Sequence, residues 1–398
     1  MPVDAESLRA DWFYPTNIRF GAGRVAELPE ICRELGLARP LLVTDSGLAE
    51  LDLVKDLKAG LEAAGLPVRL FSDFQPNPVL ADAVKGVAAY KAGKHDGVVA
   101  LGGGSSLDVG KAVAFGSVQD RPLAEYLIGS FAEAPAVLAK TKGGLPPVIS
   151  VPTTAGTGSE IGRTSALIDE EAKVKKGFFH PNMLPRVCLA DPEMTAGLAP
   201  GPTAAFGMDA LSHNLEAYCS VGYHPIAEGC ALAGMRLIQG WLPAAVKNGG
   251  DIAARAQVMA ASLAGGTAFQ KGVGGAHALS HPLSSVFGIH HGLANGVIMP
   301  YVVAFNSQVR TEELTALARY LDLPDPSPQA VVDWLIELRK EIGIPHTLDQ
   351  LGVSEAEIPR LSKLAANDIA AGENPLPFTE SVTKKLYEQA FSGEIAPV

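Results

Sequence analysis

Asp96-Gly97-Val98-Val99-Ala100-Leu101-Gly102-Gly103-Gly104-Ser105-Ser106-Leu107-Asp108-Val109-Gly110-Lys111 is a short apolar run that ends in three glycines and opens into a helical pattern. A continuous Val/Ala/Leu run without alternation is the signature of a strand covered on both sheet faces. Glycines let a backbone approach a phosphate closely. The helix predicted to begin near Ser106 offers unpaired N–H groups and the positive end of its dipole. The pattern is neither GxGxxG nor a Walker A loop. On this turn alone, a phosphate cradle and a plain packing turn stand level.

The flanking sequence repeats the alternation. Ala38-Arg39-Pro40-Leu41-Leu42-Val43-Thr44-Asp45 reads as a buried strand followed by a helix over 48–64, and Val68-Arg69-Leu70-Phe71 as a strand followed by a helix over 81–93. Pro147-Val148-Ile149-Ser150-Val151-Pro152 and Arg186-Val187-Cys188-Leu189-Ala190 add two more strands. Strands alternating with helices predict an α/β unit with a mostly parallel sheet. After Asp191 the texture changes to Ala, Leu, Met, Glu and Gln, and 203–218, 226–241, 252–269 and 330–342 read as helices. Pro192, Pro200 and Pro202 mark the boundary. The expected division is an α/β domain over 1–195 and an all-helical domain over 196–398.

Composition narrows the classes of function. The chain has 398 residues, and 32 basic against 43 acidic side chains give a formal charge of −11. At 47% hydrophobic and 19% charged it is not a disordered chain. The acidic balance without Lys/Arg clusters argues against a nucleic-acid partner. No stretch reaches about 18 uninterrupted apolar residues, so no transmembrane helix is expected. Cys32, Cys188, Cys219 and Cys230 are scattered without a CxxC pair and read as reduced thiols. The N-terminal segment carries acidic residues and no apolar core of a secretory signal, and the expected location is the cytoplasm.

A second loop strengthens the cofactor reading. Ser150-Val151-Pro152-Thr153-Thr154-Ala155-Gly156-Thr157-Gly158-Ser159-Glu160 also follows a strand and gathers hydroxyls and glycines. Such side chains suit polar ligand contact at the carboxyl end of a sheet. Asp45 stands at a strand end, where a carboxylate can accept from ribose hydroxyls and repel a 2′-phosphate, favouring NAD over NADP. The competing reading is a helix-capping Asp.

The helical half carries a candidate metal centre. Gly207-Met208-Asp209-Ala210-Leu211-Ser212-His213 sets a carboxylate and an imidazole four residues apart, on one helix face. Gly274-Gly275-Ala276-His277-Ala278-Leu279-Ser280-His281-Pro282 and Gly288-Ile289-His290-His291-Gly292 supply four more of the chain's nine histidines. Polar rings in apolar helical segments are costly unless they share a partner. An Asp with three histidines suits Fe(II) or Zn(II), and ligand type does not separate the two. Spacing alone does not choose among the five histidines.

Taken together, the GGGS-S-x-D-x-x-K stretch at 102–111, PTTAGTGSE at 152–160, D-A-x-x-H at 209–213 and H-x-x-x-H-P…H-G at 277–292 resemble the iron-containing (group III) alcohol dehydrogenase family. The similarity runs from Tyr14-Pro15-Thr16-Asn17 through Gly372-Glu373-Asn374-Pro375. It implies a dehydroquinate synthase-like architecture, with an N-terminal α/β NAD-binding domain and a helical metal-binding and substrate domain. By the resemblance, Asp209, His213, His277 and His291 hold the metal, iron or else zinc. His281 lies beside the nicotinamide as a candidate proton relay, and His290 has no ligand counterpart. Asp45 falls on the adenosine ribose, while Gly102, Gly103, Gly104 and Ser105 hold the pyrophosphate, with Asp108 in the same stretch. Thr153, Thr154 and Thr157 line the cofactor site, and Lys175, within the Lys173–Lys176 cluster, reaches the cofactor.

The activity implied is reversible hydride transfer between a small primary alcohol, including a diol or ω-hydroxy acid, and NAD. The alternatives on this scaffold are glycerol dehydrogenase-type and dehydroquinate synthase-type reactions. The resemblance also implies a homodimer or a larger homo-oligomer. Two positions depart from the family pattern: Lys271, where many relatives carry a small polar residue, and Leu376, where an Arg is expected. Lys271 reads either as a ligand for an anionic substrate group or as a snorkelling or surface lysine.

Overall fold

The computed structural model describes residues 16–170 and 174–396. Tyr14, Pro15 and Lys173, which figure in the motifs above, lie outside the described residues. The chain forms two compact units, Pro15–Ala196 and Gly197–Val398.

In the first unit the strands are β1 (Asn17–Phe20), β2 (Pro40–Val43), β3 (Arg69–Phe71), β4 (Gly97–Gly102), β5 (Val148–Pro152), β6 (Thr164–Asp169), β7 (Val174–Phe179) and β8 (Val187–Ala190). Its helices are α1 (Leu28–Glu34), α2 (Ser46–Ala49), α3 (Asp52–Ala63), α4 (Leu80–Ala92), α5 (Gly104–Ser117) and α6 (Ala134–Leu138). Six strands pair in the order β1-β8-β5-β4-β2-β3, every pair parallel, as the unalternated apolar runs predict. Successive residues point to opposite faces. Leu42, Val99, Leu101, Ile149 and Val151 enter one core with α1 and α3, whereas Leu41, Val43, Val98 and Ala100 enter another with α5.

The chain passes from β2 outward to β3, then returns to β4 on the other side of β2 and continues to β5 and β8. That reversal is a topological switch point, where a crevice opens beyond the carboxyl ends of β2 and β4. Asp45 follows the first of these strands and Gly102-Gly103-Gly104 closes the second.

Several elements of this unit escape the sequence pattern, α1 and α6 among them. β1 is an edge strand of four residues with no buried run. β6 and β7 form a separate antiparallel hairpin whose lysines hide its strand character. The helix expected over 48–64 is two helices, because Leu51 takes an extended backbone between α2 and α3.

The described residues of the second unit are helical, with short 3-10 turns. The helices are α7 (Pro200–Cys219), α8 (Pro225–Lys247), α9 (Ile252–Ala268), α10 (Gly275–Phe287), α11 (His291–Asn306), α12 (Thr311–Tyr320), α13 (Pro328–Glu341), α14 (Ile358–Ala366) and α15 (Glu380–Ser392). α8 runs on through Pro243 to Lys247, held by packing on α7 and α9. The β-branched run Val297-Ile298-Met299 lies inside α11, buried on all sides. A short apolar run does not by itself distinguish a strand from such a helix.

Candidate active site

Helix α7 is buried along most of its length, so its polar residues meet protein rather than water. Asp209 and His213 lie one turn apart on one face. α10 brings His277 and His281, and α11 opens with His291. The ligand atoms of Asp209, His213 and His277 lie within 4.8 Å of one another, and all three residues are buried. The His277 ring centroid is 4.7 Å from that of His213 and 5.1 Å from that of His291. His291 joins through Asp209, its Nε2 standing 3.7 Å from Asp209 Oδ1.

Gly292 makes this meeting sterically feasible. A Cβ there would stand 2.1 Å from the Ala205 carbonyl oxygen and 2.8 Å from Asp209 Cβ. Only glycine lets the start of α11 press against α7 so closely.

The donors are oriented from behind. Asn295 Nδ2 donates to Asp209 Oδ1 at 2.9 Å and lies 3.2 Å from both Ser212 Oγ and His291 Nε2. Ser280 Oγ meets His291 Nδ1 at 3.2 Å. Glu216 Oε2 holds His277 Nδ1. Burial raises the Glu373 carboxyl above its ordinary value against the opposing Val273 N–H, and the nearby Glu216 charge adds to the rise. One buried carboxylate among imidazoles, with Asp209, His277 and His291 each braced by a further partner, fits a single divalent ion such as Fe(II) or Zn(II).

His281 is placed differently. Its Nδ1 faces Asp368, and its ring stacks on His291 at 5.1 Å. His290 packs edge-on against Phe206 at 4.6 Å. Lys271 departs from both of its readings. Its side chain is only 3% exposed, with Nζ 2.9 Å from Glu228 Oε1 and donating to the Tyr218 carbonyl at 3.0 Å. A buried ammonium requires such partners, so Lys271 is neither a surface lysine nor a cation open to a substrate.

In the α/β unit the two loops are packed together. A Cβ on Gly103 would stand 3.2 Å from Thr154 Cγ2, and one on Gly104 would stand 2.9 Å from Thr157 Cγ2. Gly102 has φ +140°, and a Cβ there would strike Ser106 Oγ at 2.5 Å. Together with the N-terminal N–H groups of α5, these glycines form a cradle that fits a dinucleotide pyrophosphate. Asp45 caps α2, accepting from the N–H groups of Gly47 and Leu48 at 3.0 Å each, while its own N–H donates to Ser106 Oγ at 3.1 Å. The capping reading is therefore realised, at the same strand end where a ribose would be met. Thr153 N–H donates to the Gly102 carbonyl, joining β5's loop to β4's.

Asp108 is tied to Lys111 Nζ at 3.1 Å and accepts from Ser159 Oγ at 2.6 Å. It braces the threonine loop against α5. Lys175 stands on the hairpin opposite Ile168, not at a strand end of the parallel sheet.

Glu216, Ser280, Asn295 and Asp368 were not singled out from the sequence. Glu216 lies seven residues beyond Asp209 and Asn295 four beyond His291, spacings that keep each on the ligand face of its helix. For Asp368, 87 residues from His281, no local signal exists.

A parallel sheet with a dinucleotide cradle and a buried oxygen–nitrogen ligand set are the parts of a metal-dependent dehydrogenase. Residues 15–192 match the family model for iron-containing alcohol dehydrogenase, and residues 203–391 match that for the family's C-terminal domain. The chain belongs to the iron-containing alcohol dehydrogenase family. It is 36% identical over 389 residues to a 4-hydroxybutyrate dehydrogenase of Cupriavidus necator, covering 95% of this chain and 99% of that one. It is 34% identical to an NAD-dependent methanol dehydrogenase of Bacillus methanolicus, covering 92% and 95%. The crystal structure of a 1,3-propanediol oxidoreductase superposes with a TM-score of 0.90 at 32% identity, covering 96% and 99%.

Proposed function

We propose that this chain is an NAD-linked, metal-dependent alcohol dehydrogenase that interconverts small primary alcohols and aldehydes, with Asp209, His213, His277 and His291 as the metal ligands. The observation that carries the reading is the convergence of the Asp209, His213 and His277 ligand atoms within 4.8 Å in a buried site. When bound, the metal supplies Lewis acidity toward an alcohol oxygen, and NAD supplies the hydride acceptor.

The chain's own residues do the rest. Asp209 brings the negative charge that balances the ion, and Asn295 fixes its orientation. Gly102, Gly103, Gly104 and Ser105 hold the pyrophosphate, Thr153, Thr154 and Thr157 line the cofactor site, and Asp45 takes the adenosine ribose. Lys175 reaches the cofactor from the hairpin, and Asp108 keeps the cradle in shape. His281 takes the alcohol proton on Nε2, because Asp368 keeps the ring's other proton on Nδ1.

The named relatives act on 4-hydroxybutyrate, methanol and 1,3-propanediol, each with a hydroxyl at a chain end. That common feature supports a primary alcohol, a diol or an ω-hydroxy acid here. With Lys271 committed to Glu228, a substrate carboxylate is read elsewhere. The same reading carries a cytoplasmic homodimer. Among the described residues no helix is long and apolar enough to cross a membrane.

The test is NAD reduction by ethanol, 1,3-propanediol and 4-hydroxybutyrate, using chelator-stripped protein reloaded anaerobically with Fe(II) or Zn(II). Turnover only after reloading is expected. No NADH with any substrate or metal overturns the assignment.

A further inference from the structure

Helix α10 has no side-chain cap from its own flank, because Gly274 precedes it. The amides at its start and just before it are met instead by side chains from distant segments. Glu373 Oε2 accepts from Val273 N–H at 2.9 Å, Asn374 Oδ1 from Gly275 N–H at 3.1 Å, and Glu216 Oε1 from Ala276 N–H at 2.5 Å. The second Glu216 oxygen meets the Nδ1 of His277, one residue further along. Glu216 is buried on α7, seven residues from Asp209 and three from His213, and so shares their face.

We infer that Glu216 is the positioning residue for His277: it docks the start of α10 and fixes the imidazole with its proton on Nδ1, leaving Nε2 to the metal. The inference rests on the metal-site reading above. Both carboxylate oxygens are turned to N–H groups of α10, so Glu216 is not itself a ligand. A carboxylate accepts only, and what it accepts from a histidine nitrogen is the proton. That proton assignment decides which nitrogen keeps a lone pair, and carboxylate partners of this kind also raise ligand basicity. Helix α7 thus supplies two ligands and the group that aims the third. The positive end of the α10 dipole favours a negative charge at that place.

Glutamine in place of Glu216 separates this role from capping. Its single carbonyl oxygen can serve Ala276 N–H, but its NH2 then faces Nδ1 as a donor. Nδ1 must accept, the proton moves to Nε2, and the ligand lone pair is lost.

The experiment measures Zn(II) and Co(II) affinity by chelator competition in wild type and Glu216→Gln, with Co(II) absorption as a coordination signature and thermal melts of both metal-free proteins. Glu216→Gln is expected to bind roughly 10- to 100-fold more weakly, with an altered Co(II) spectrum and a cooperative melt. Folded Glu216→Gln with wild-type affinity and spectrum overturns the inference. Wild type that binds neither ion overturns the metal-site reading instead. Should Glu216→Gln fail to fold, 15N spectra of histidine-labelled, metal-free wild type decide, with the His277 signal assigned by its loss in His277→Gln. An Nδ1–H ring supports the inference, and an Nε2–H ring overturns it.

Discussion

His281 Nδ1 lies 3.0 Å from each carboxylate oxygen of Asp368, although 87 residues separate the two in the chain. One of these oxygens also accepts from Ala370 N–H at 2.9 Å, so Asp368 ends α14's connection and aims the imidazole together. Asp368→Asn keeps an oxygen for Ala370 but removes the charge and replaces one of the two acceptors beside Nδ1 with a donor. If His281 relays the alcohol proton, His281→Ala and Asp368→Asn each lower kcat by roughly 100-fold. Metal content stays at the wild-type level. Because the two act as one unit, the double variant is no slower than His281→Ala. Steady-state NADH formation with elemental analysis checks this, and loss of metal from His281→Ala would make it a ligand.

Asp45 caps α2 with Oδ1 and brings a negative charge to the end of β2. Asp45→Asn retains the cap and removes the charge. Efficiency with NADP relative to NAD should rise roughly tenfold, the equivalent of about 1.4 kcal/mol. Asp45→Ala should also lose about 1 kcal/mol of stability with the cap. Comparing kcat/KM for the two cofactors with urea melts separates the two contributions.

Lys271 is held by Glu228 and the Tyr218 carbonyl. Lys271→Met should therefore cost stability, about 1–3 kcal/mol for a buried charged group removed from its hydrogen-bond partners. The ratio of kcat/KM for 4-hydroxybutyrate to that for 1-butanol should not change. A selective loss on the hydroxy acid would show Lys271 acting on the substrate after all.

Burial pushes the Cys32 and Cys219 thiols up to about 12, and that of Cys188 higher still. At pH 8 Cys32 and Cys219 carry roughly a thousandfold less thiolate than ordinary thiols, so iodoacetamide should modify native protein at Cys230 alone. In the unfolded chain these thiols ionise near 9.0, the ordinary value from which all three are raised. Between about pH 9 and pH 12 the unfolded state therefore binds fewer protons than the folded one. Stability falls as pH rises through that window, which denaturant melts at pH 8, 9.5 and 10.5 would show.

Legibility followed the range of the interactions. The four buried strands β2, β4, β5 and β8 were readable because each is a contiguous apolar run, and Asp209 with His213 because one helical turn separates them. β1 was not readable, since a four-residue edge strand carries no buried run. The hairpin of β6 and β7 was hidden by its lysines. Glu216 and Asn295 sat at helical spacings from the ligands, but spacing names a shared face and not the partner across it.

The sequence by itself determined the α/β and helical halves, the glycine cradle after β4, and the residue types of an oxygen–nitrogen metal centre. It left five histidines for three places in that centre, beyond what the family resemblance implies. Tertiary packing gives each of them different neighbours. Gly292 lets α11 touch α7 and brings His291 Nε2 to 3.7 Å from Asp209, while Asp368 draws His281 Nδ1 aside and His290 packs edge-on against Phe206. The burial of Lys271 was settled in the same way, by Glu228 and Tyr218 from other parts of the chain. Helix and strand patterns are written in neighbouring residues, whereas the direction of a lone pair depends on which distant helix supplies its hydrogen-bond partner.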